Sequence, residues 1–299
     1  MKVKRTFFIG DEWLYFKIYC GPKTADTILT EVIKPISEKL IKQKQIDQWF
    51  FIRYADPKNH LRLRFHLLKK DSIVVITKLL NKALTHYVEA DLVWKVTTDT
   101  YQREMERYGT KTIELAERIF YNDSILAVGV ISLIEGDEGE IIRWRIALRS
   151  IDELLNDFGY TLEEKFQLLR LMKHDFAREF HMDKHLKIQL GKKYRKEANV
   201  ISQFLNPKND ENSEFNPIFD LIKVRSEMNQ VVIHNIRNLY KNKQLEKELN
   251  EIMWSFLHML NNRLFKSKQR LHELVMYYYL HQFYRSKLAR MGIKVKELE

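Results

Sequence analysis

The chain has 299 residues, of which 45% are hydrophobic, 30% charged and 12% aromatic, and its formal net charge is +11. This much apolar surface offsets the entropy of ordering the chain, so the composition excludes a mainly disordered protein. Only 9 glycines and 5 prolines occur, which predicts few tight turns and many long helices. The single cysteine, Cys20, excludes an internal disulfide.

Two features bear on location and partners. The apolar stretch behind the basic N-terminus ends at Gly10, too short for a signal peptide, and the longest near-apolar run, residues 125–134, is half the length of a membrane span. We therefore predict a cytoplasmic protein without a membrane span. The positive charge indicates an anionic ligand, a peptide or a nucleic acid as partner. A solvated basic surface is the alternative, and no RNA-binding, zinc-finger or basic-zipper pattern is present.

The first hundred residues alternate between strand and helix patterns. Aromatic and β-branched residues predict strands at 13–19, 48–54, 61–66 and about 92–101. Apolar spacing predicts one helix from Thr24, bent at Pro35, and a second helix ending at Tyr87. The resulting order β-α-β-β-α-β is the split βαβ, ferredoxin-like arrangement.

After Gly109 the apolar spacing is helical. It predicts helices over 112–121, 124–134, 140–156, 161–180 and 184–203, with two or three more between Pro217 and Met291. Thr161 and Glu164 match a capping box, and the polar stretch 207–214 predicts a loop. The predicted fold class is α+β: a ferredoxin-like sheet module over 1–108 leads into a mostly helical body over 109–299, packed as a single domain.

Arginines concentrate on the third predicted strand and at the end of the fourth. A period of two puts Arg62 and Arg64 on the strand face opposite the apolar side chains. Arg103, Glu104 and Arg107 close the fourth strand. If the two groups meet, planar guanidiniums can recognise a carboxylate in a bidentate manner. An exposed strand face and a structural salt-bridge network are the alternatives.

Histidines supply the other candidate chemistry. His258 lies beside the apolar face of a late helix with Asn262 one turn on, where a proton carrier and a satisfied core histidine are both consistent with the pattern. His181 and His185 are spaced to share a helix face, but no further ligand is nearby, so a capping or surface role is favoured over a metal. We expect no metal site and no cofactor.

Five stretches together resemble the small C-terminal domain of class I lanthipeptide dehydratases, also found as a separate chain, the thiopeptide-type bacteriocin biosynthesis domain. They are WLYFKIY at 13–19, WFFIRYADP at 49–57, HLRLRF at 60–65, YQREMERYG at 101–109 and LHMLNNRL at 257–264. The stretches span almost the whole chain in the family's order. The resemblance implies a role in making ribosomal peptide antibiotics.

The resemblance implies a glutamate elimination lyase. In that family a partner esterifies Ser or Thr of a precursor peptide with glutamate from glutamyl-tRNA, and this domain expels the glutamate to leave dehydroalanine or dehydrobutyrine. No large glutamylating domain precedes the motifs here, so we expect the separate elimination subunit of a split dehydratase. The implied partners are a glutamylated precursor peptide and a separate glutamylating protein, with no direct contact to nucleic acid. The oligomeric state stays open, with a homodimer as one option.

The resemblance also carries a site onto this sequence. Elimination removes a Cα proton while negative charge grows on a carbonyl and on the departing carboxylate, which arginines stabilise and for which a histidine carries the proton. The catalytic residues it implies are Arg62, Arg64, Arg107 and His258, and the substrate-binding candidates are Glu104, His60, Arg103 and Asn262.

Two other functions stay open at this point. Related thiopeptide pyridine synthases use the same fold for a cycloaddition that forms a ring. A non-catalytic subunit that binds a leader peptide by strand addition to a sheet edge is the second alternative.

Overall fold

The protein is described by a computed structural model over residues 3–134, 136–206 and 213–293, without the side chains of 136–138. Of the predicted loop at 207–214, residues 207–212 lie outside the described residues. Its secondary structure is α+β, with antiparallel strands before Gly109 and helices after it, as the sequence predicts.

The strands form two antiparallel sheets. Their bounds are β1 Thr6–Phe7, β2 Trp13–Cys20, β3 Ile46–Tyr54, β4 His60–Leu67, β5 Val93–Thr98 and β6 Tyr101–Gln102. The main sheet has the order β3-β4-β2-β5, and β1 pairs with β6. Because one helical segment follows β2 and another follows β4, this order is the predicted split βαβ topology.

The fourth predicted strand is divided into two. Asp99 ends β5 because its side-chain Oδ1 accepts a hydrogen bond from the Thr100 N–H at 2.7 Å, which turns the chain. Tyr101 then pairs with Phe7 in the small sheet instead of continuing along β2. This turn brings Tyr101 back toward the main sheet, where it contributes to the site described below.

The helical segment after β2 contains a π-helical turn just before Pro35, the residue at which the sequence predicts a bend. It consists of α1 Pro22–Thr27, a π-helical turn Ile28–Ile33 and α2 Lys34–Lys42. Pro35 lies at the start of α2 and has no N–H to donate to the preceding turn, which accounts for the wider turn before it. The second predicted helix of this module is α3 Ser72–Glu89.

The remaining helices are α4 Met105–Tyr108, α5 Ile113–Leu133, α6 Gly136–Asp157, α7 Leu162–Glu179, α8 Lys184–Leu205, α9 Asn216–Lys241, α10 Leu249–Leu264 and α11 Gln269–Arg290. The capping box is confirmed, since Thr161 Oγ1 accepts from the Glu164 N–H at 3.2 Å and Glu164 accepts from the Thr161 N–H at 2.8 Å.

The separate helices predicted over 112–121 and 124–134 are wrong, because α5 runs through both. The polar residues between them have partners inside the fold. Asn122 donates to Asn229 Oδ1 at 2.8 Å, and the Ser124 hydroxyl donates to the Phe120 carbonyl at 2.7 Å. A polar interval that resembles a helix break in the sequence therefore continues as a buried part of one helix.

Contacts divide the chain into two compact units. The first contains residues up to Leu133 together with Glu227–Ser267, and so holds both sheets, α1 to α5 and α10. The second contains Ile134–Ser226 together with the residues from Lys268 onward. In the second unit α11 packs against α7, and its Tyr277, Leu280 and Tyr284 are at most 1% exposed. All eight candidate site residues belong to the first unit.

Candidate active site

The third strand of the main sheet, β4, divides its side chains between two faces. Leu61, Leu63 and Phe65 are at most 1% exposed and form the apolar face, as the period of two predicts. Arg62 and Arg64 lie on the opposite face. That second face is the site face from here on.

Arg64 is enclosed by aromatic rings and is not the exposed strand arginine that the sequence left open. Its guanidinium carbon lies 4.4 Å from the ring centre of Tyr15, 4.7 Å from that of Tyr101 and 5.2 Å from that of Phe50. Burial lowers the pKa of this guanidinium, and its Nε has no hydrogen-bond partner among the described residues. A desolvated cation with an unused donor favours binding of an anionic group.

Arg62 is oriented by two neighbours. Its guanidinium carbon lies 3.5 Å from the ring centre of Tyr54, and its Nε donates to His60 Nε2 at 3.2 Å. Burial lowers the pKa of the His60 imidazole, which favours its neutral form. Its Nδ1–H then donates to the Lys58 carbonyl at 2.8 Å and leaves Nε2 to accept. In the described part of the chain the terminal nitrogens of Arg62 have no hydrogen-bond partner, so they remain available to a ligand.

Arg103 is buried and engaged by an acidic side chain. Its Nε and Nη2 donate to the two carboxylate oxygens of Glu117 at 2.8 and 2.7 Å, and its Nη1 donates to the Lys4 carbonyl at 3.0 Å. Glu117 also accepts from the Tyr101 hydroxyl at 2.7 Å. Glu117 thus joins Arg103 to Tyr101, the ring that lies beside Arg64.

Glu104 and Arg107 form an exposed ion pair at the start of α4. Arg107 Nε lies 3.0 Å from Glu104 Oε2, and the two side chains are 52% and 59% exposed. Pairs this exposed contribute little to stability, about 0–1 kcal/mol, so a ligand carboxylate can replace Glu104 at low cost. The adjacent Tyr108 is buried and stacks on Phe256 of α10 at 5.5 Å between ring centres.

Helix α10 is attached to the edge of β3 through Asn262. Asn262 Oδ1 accepts from the Arg53 N–H at 2.8 Å, and its Nδ2 donates to the Arg53 carbonyl at 2.9 Å. The amide therefore occupies the main-chain positions that a further strand would take. His258 is half-buried one turn before Asn262 on the same helix face.

Side-chain contacts connect the strand and helix segments that carry the candidate residues. Arg64 of β4 touches Tyr101 of β6, and Tyr108 of α4 touches Phe256 of α10, the helix that carries His258. Four aromatic residues of the site were missed by the sequence prediction: Tyr15, Phe50, Tyr54 and Tyr101. The first three lie on the strands that flank β4 and follow the period of two, and this signal would have found them. Tyr101 had no such signal, because the turn at Asp99 places it.

Within the described residues, no three His, Cys, Asp or Glu side chains are grouped so that they could hold a metal ion. No helix in the described ranges is both long enough and apolar enough to cross a membrane.

Comparison with known proteins defines the class. The family model for the C-terminal part of lantibiotic biosynthesis dehydratases matches residues 13–284. The chain belongs to the lantibiotic dehydratase C-terminal family, which confirms the resemblance drawn from the five stretches.

The proteins that this chain resembles differ in length. The subtilin biosynthesis protein SpaB of Bacillus subtilis is 25% identical over 285 residues, covering 94% of this chain and 26% of SpaB. The tRNA-dependent lantibiotic dehydratase MibB of Microbispora sp. 107891 has a similar fold, with a TM-score of 0.71 at 19% identity over 94% of this chain and 29% of MibB. The pyridine synthase TbtD from thiomuracin biosynthesis gives a TM-score of 0.64 at 10% identity over 92% of this chain and all of TbtD. This chain thus spans about a quarter of the length of SpaB.

Proposed function

We propose that this chain eliminates glutamate from glutamylated Ser or Thr of a precursor peptide. Arg64 carries the proposal: a guanidinium 7% exposed, without a carboxylate partner among the described residues, lies beside Arg62 on one sheet face. Glutamate elimination develops negative charge on a carbonyl oxygen and on a departing carboxylate. Two adjacent guanidiniums match those two oxygen sites.

The proposed reaction breaks two bonds of the modified residue. A base removes the Cα proton, the electron pair forms the Cα–Cβ double bond, and the Cβ–O bond breaks to release glutamate as a carboxylate. Arg62 and Arg64 stabilise the oxygens that gain charge, and Arg107 exchanges Glu104 for a substrate carboxylate. His258 carries the proton, in the role of general acid or base. The substrate comes from a glutamylating activity that uses glutamyl-tRNA.

The direct test uses purified chain and a precursor peptide that has been glutamylated beforehand. Mass spectrometry is expected to show loss of each glutamate and a product lighter than the unmodified peptide by one water per site. The reaction is expected to need neither tRNA nor ATP, and the unmodified peptide is expected to stay unchanged. Persistence of the glutamylated peptide with a folded enzyme would refute the proposal.

Cycloaddition is the second candidate function, favoured by the match to the full length of TbtD. The same assay separates the two functions when it is repeated with a peptide that already contains dehydroalanine. A pyridine ring formed from that peptide supports cycloaddition, whereas glutamate release from the esterified peptide supports elimination.

A further inference from the structure

The two edges of the main sheet differ in their surroundings. On the β3 edge, Ser124 Oγ accepts from the Phe51 N–H at 3.3 Å, and Asn262 forms both hydrogen bonds with Arg53. On the outer side of β5, no main-chain hydrogen bond occurs to any described residue. Of the two edges of the main sheet, the β5 edge is therefore the open one in the described part of the chain.

The register shows which main-chain groups of β5 are open. Asp99 N–H donates to the Tyr15 carbonyl at 3.1 Å, so these residues form a hydrogen-bonded pair. Such pairs alternate in an antiparallel ladder, and Thr97, opposite Lys17, is the next one. Val96 and Thr98 thus direct their N–H and C=O groups outward.

Edge strands usually carry features that prevent pairing, such as outward charges or proline. Here Lys95 does not serve this purpose, because its Nζ lies 5.5 Å from the ring centre of Tyr19, over the site face. No proline occurs in β5, and Trp94 and Val96 are 47% and 39% exposed. A bulge at Trp94 confines the irregularity to the first half of the strand, leaving Val96 and Thr98 in regular geometry.

Side chains of β5 lie on the site face together with those of the candidate site. Thr97 is the cross-strand neighbour of Lys17, which is in turn the neighbour of Arg62. A strand added to β5 would lie about 14 Å from β4, three strand spacings away. Four or five extended residues cover that distance.

We propose that β5 binds an extended segment of the peptide substrate as a fifth strand and presents a residue four or five positions away to the arginines. This inference rests on the proposed function for the identity of the substrate. The outward main-chain groups of Val96 and Thr98 supply the affinity, and Trp94 provides an apolar contact for alternate side chains.

The test follows hydrogen exchange of individual amides in the whole protein. The probe is a synthetic peptide with a docking segment of three Thr-Val repeats, a five-residue Gly/Ser linker and one glutamylated serine. The matched control peptide is N-methylated throughout the docking segment, so its main chain has no N–H to donate from either side of the added strand. The unmethylated probe is expected to slow exchange at Val96 and Thr98 at least tenfold, with little change at Lys95 and Thr97, which already pair with β2. Equal exchange with both peptides would overturn the proposal.

Two further outcomes separate this inference from neighbouring explanations. Protection of Val96 and Thr98 without peptide, increasing with protein concentration, would assign the edge to a second copy of the chain and overturn the proposal. Protection by the probe without glutamate release would support the strand surface while refuting the eliminase function. Glutamate release at equal rates from both peptides, without protection of Val96 and Thr98, would support the eliminase function and refute the strand surface.

A variant removes one outward donor. Val96→Pro is expected to raise the KM for the unmethylated probe about fivefold to tenfold, as for loss of one hydrogen bond of about 1 kcal/mol. Val96→Thr keeps the main-chain N–H, and its KM for the unmethylated probe is expected to stay within about twofold of the parent value. An unchanged KM in a Val96→Pro protein with the parent melting temperature would count against the inference.

Discussion

The side-chain amide of Asn262 binds the main chain of Arg53 at both its N–H and its C=O, at 2.8 and 2.9 Å. This geometry makes Asn262 a positioning residue that holds α10 against β3. The helix carries His258, so the position of the proposed proton carrier depends on this attachment.

Asn262→Ala is expected to destabilise the protein, because it leaves two main-chain groups of Arg53 unpaired at about 1–3 kcal/mol each. Thermal unfolding measures the loss, and the exposed Asn242→Ala serves as a control that is expected to stay within about 0.5 kcal/mol. A raised KM at parental stability would instead assign Asn262 to substrate binding.

Glu117→Gln is expected to lower stability strongly, by about 3–5 kcal/mol, since it removes the charge that compensates buried Arg103. Glu114→Gln provides the matched control: Glu114 contacts the same guanidinium at 3.2 Å but is 65% exposed, and a change below about 1 kcal/mol is expected. Similar melting temperatures for the two variants would contradict the central role of Glu117.

Arg107→Lys is expected to fold normally and to accumulate glutamylated peptide, because lysine keeps the charge but loses the planar pair of donors. Arg5→Lys is the control, since Arg5 is equally exposed at 52% and pairs with Glu106 outside the proposed catalytic group. Mass spectrometry of the peptide product distinguishes the two variants. Complete dehydration of the peptide by both would remove Arg107 from the site.

His258→Ala is expected to reduce single-turnover glutamate release by roughly a hundredfold to ten-thousandfold with little change in melting temperature. A core histidine predicts the opposite pattern: a loss of stability with nearly normal turnover in the folded fraction. The same purified variant provides both measurements. The second pattern would remove His258 from the proposed catalytic residues and leave only the arginines.

His60 gives a pH-dependent contribution to stability. Burial lowers the pKa of its imidazole below the ordinary value of 6.5, so the unfolded chain binds a proton more readily than the folded protein. The contribution is fully present above pH 6.5 and is lost as pH falls through the folded-state pKa. His60→Gln is expected to flatten the dependence of melting temperature on pH below about 6.5. An unchanged slope would show that His60 titrates alike in both states.

The sequence by itself determined the elements whose signals are local. The period of two on β4 placed Arg62 and Arg64 opposite Leu61 and Leu63, and the capping box located the start of α7 at Thr161. Both signals depend on residues a few positions apart, whose relative directions follow from strand or helix geometry. The order of these elements was enough to predict the split βαβ topology.

Tertiary structure alone decided which polar groups far apart in the sequence became partners. Arg103 is held by Glu117, 14 residues away, and Asn262 by Arg53, 209 residues away. No periodicity encodes such pairs, because they depend on how separate elements pack and on the cost of leaving a buried polar group unpaired. For the same reason, two arginines with the same strand spacing differ: Arg62 remains accessible, whereas Arg64 is enclosed by Tyr15, Phe50 and Tyr101 once β6 turns back over the sheet.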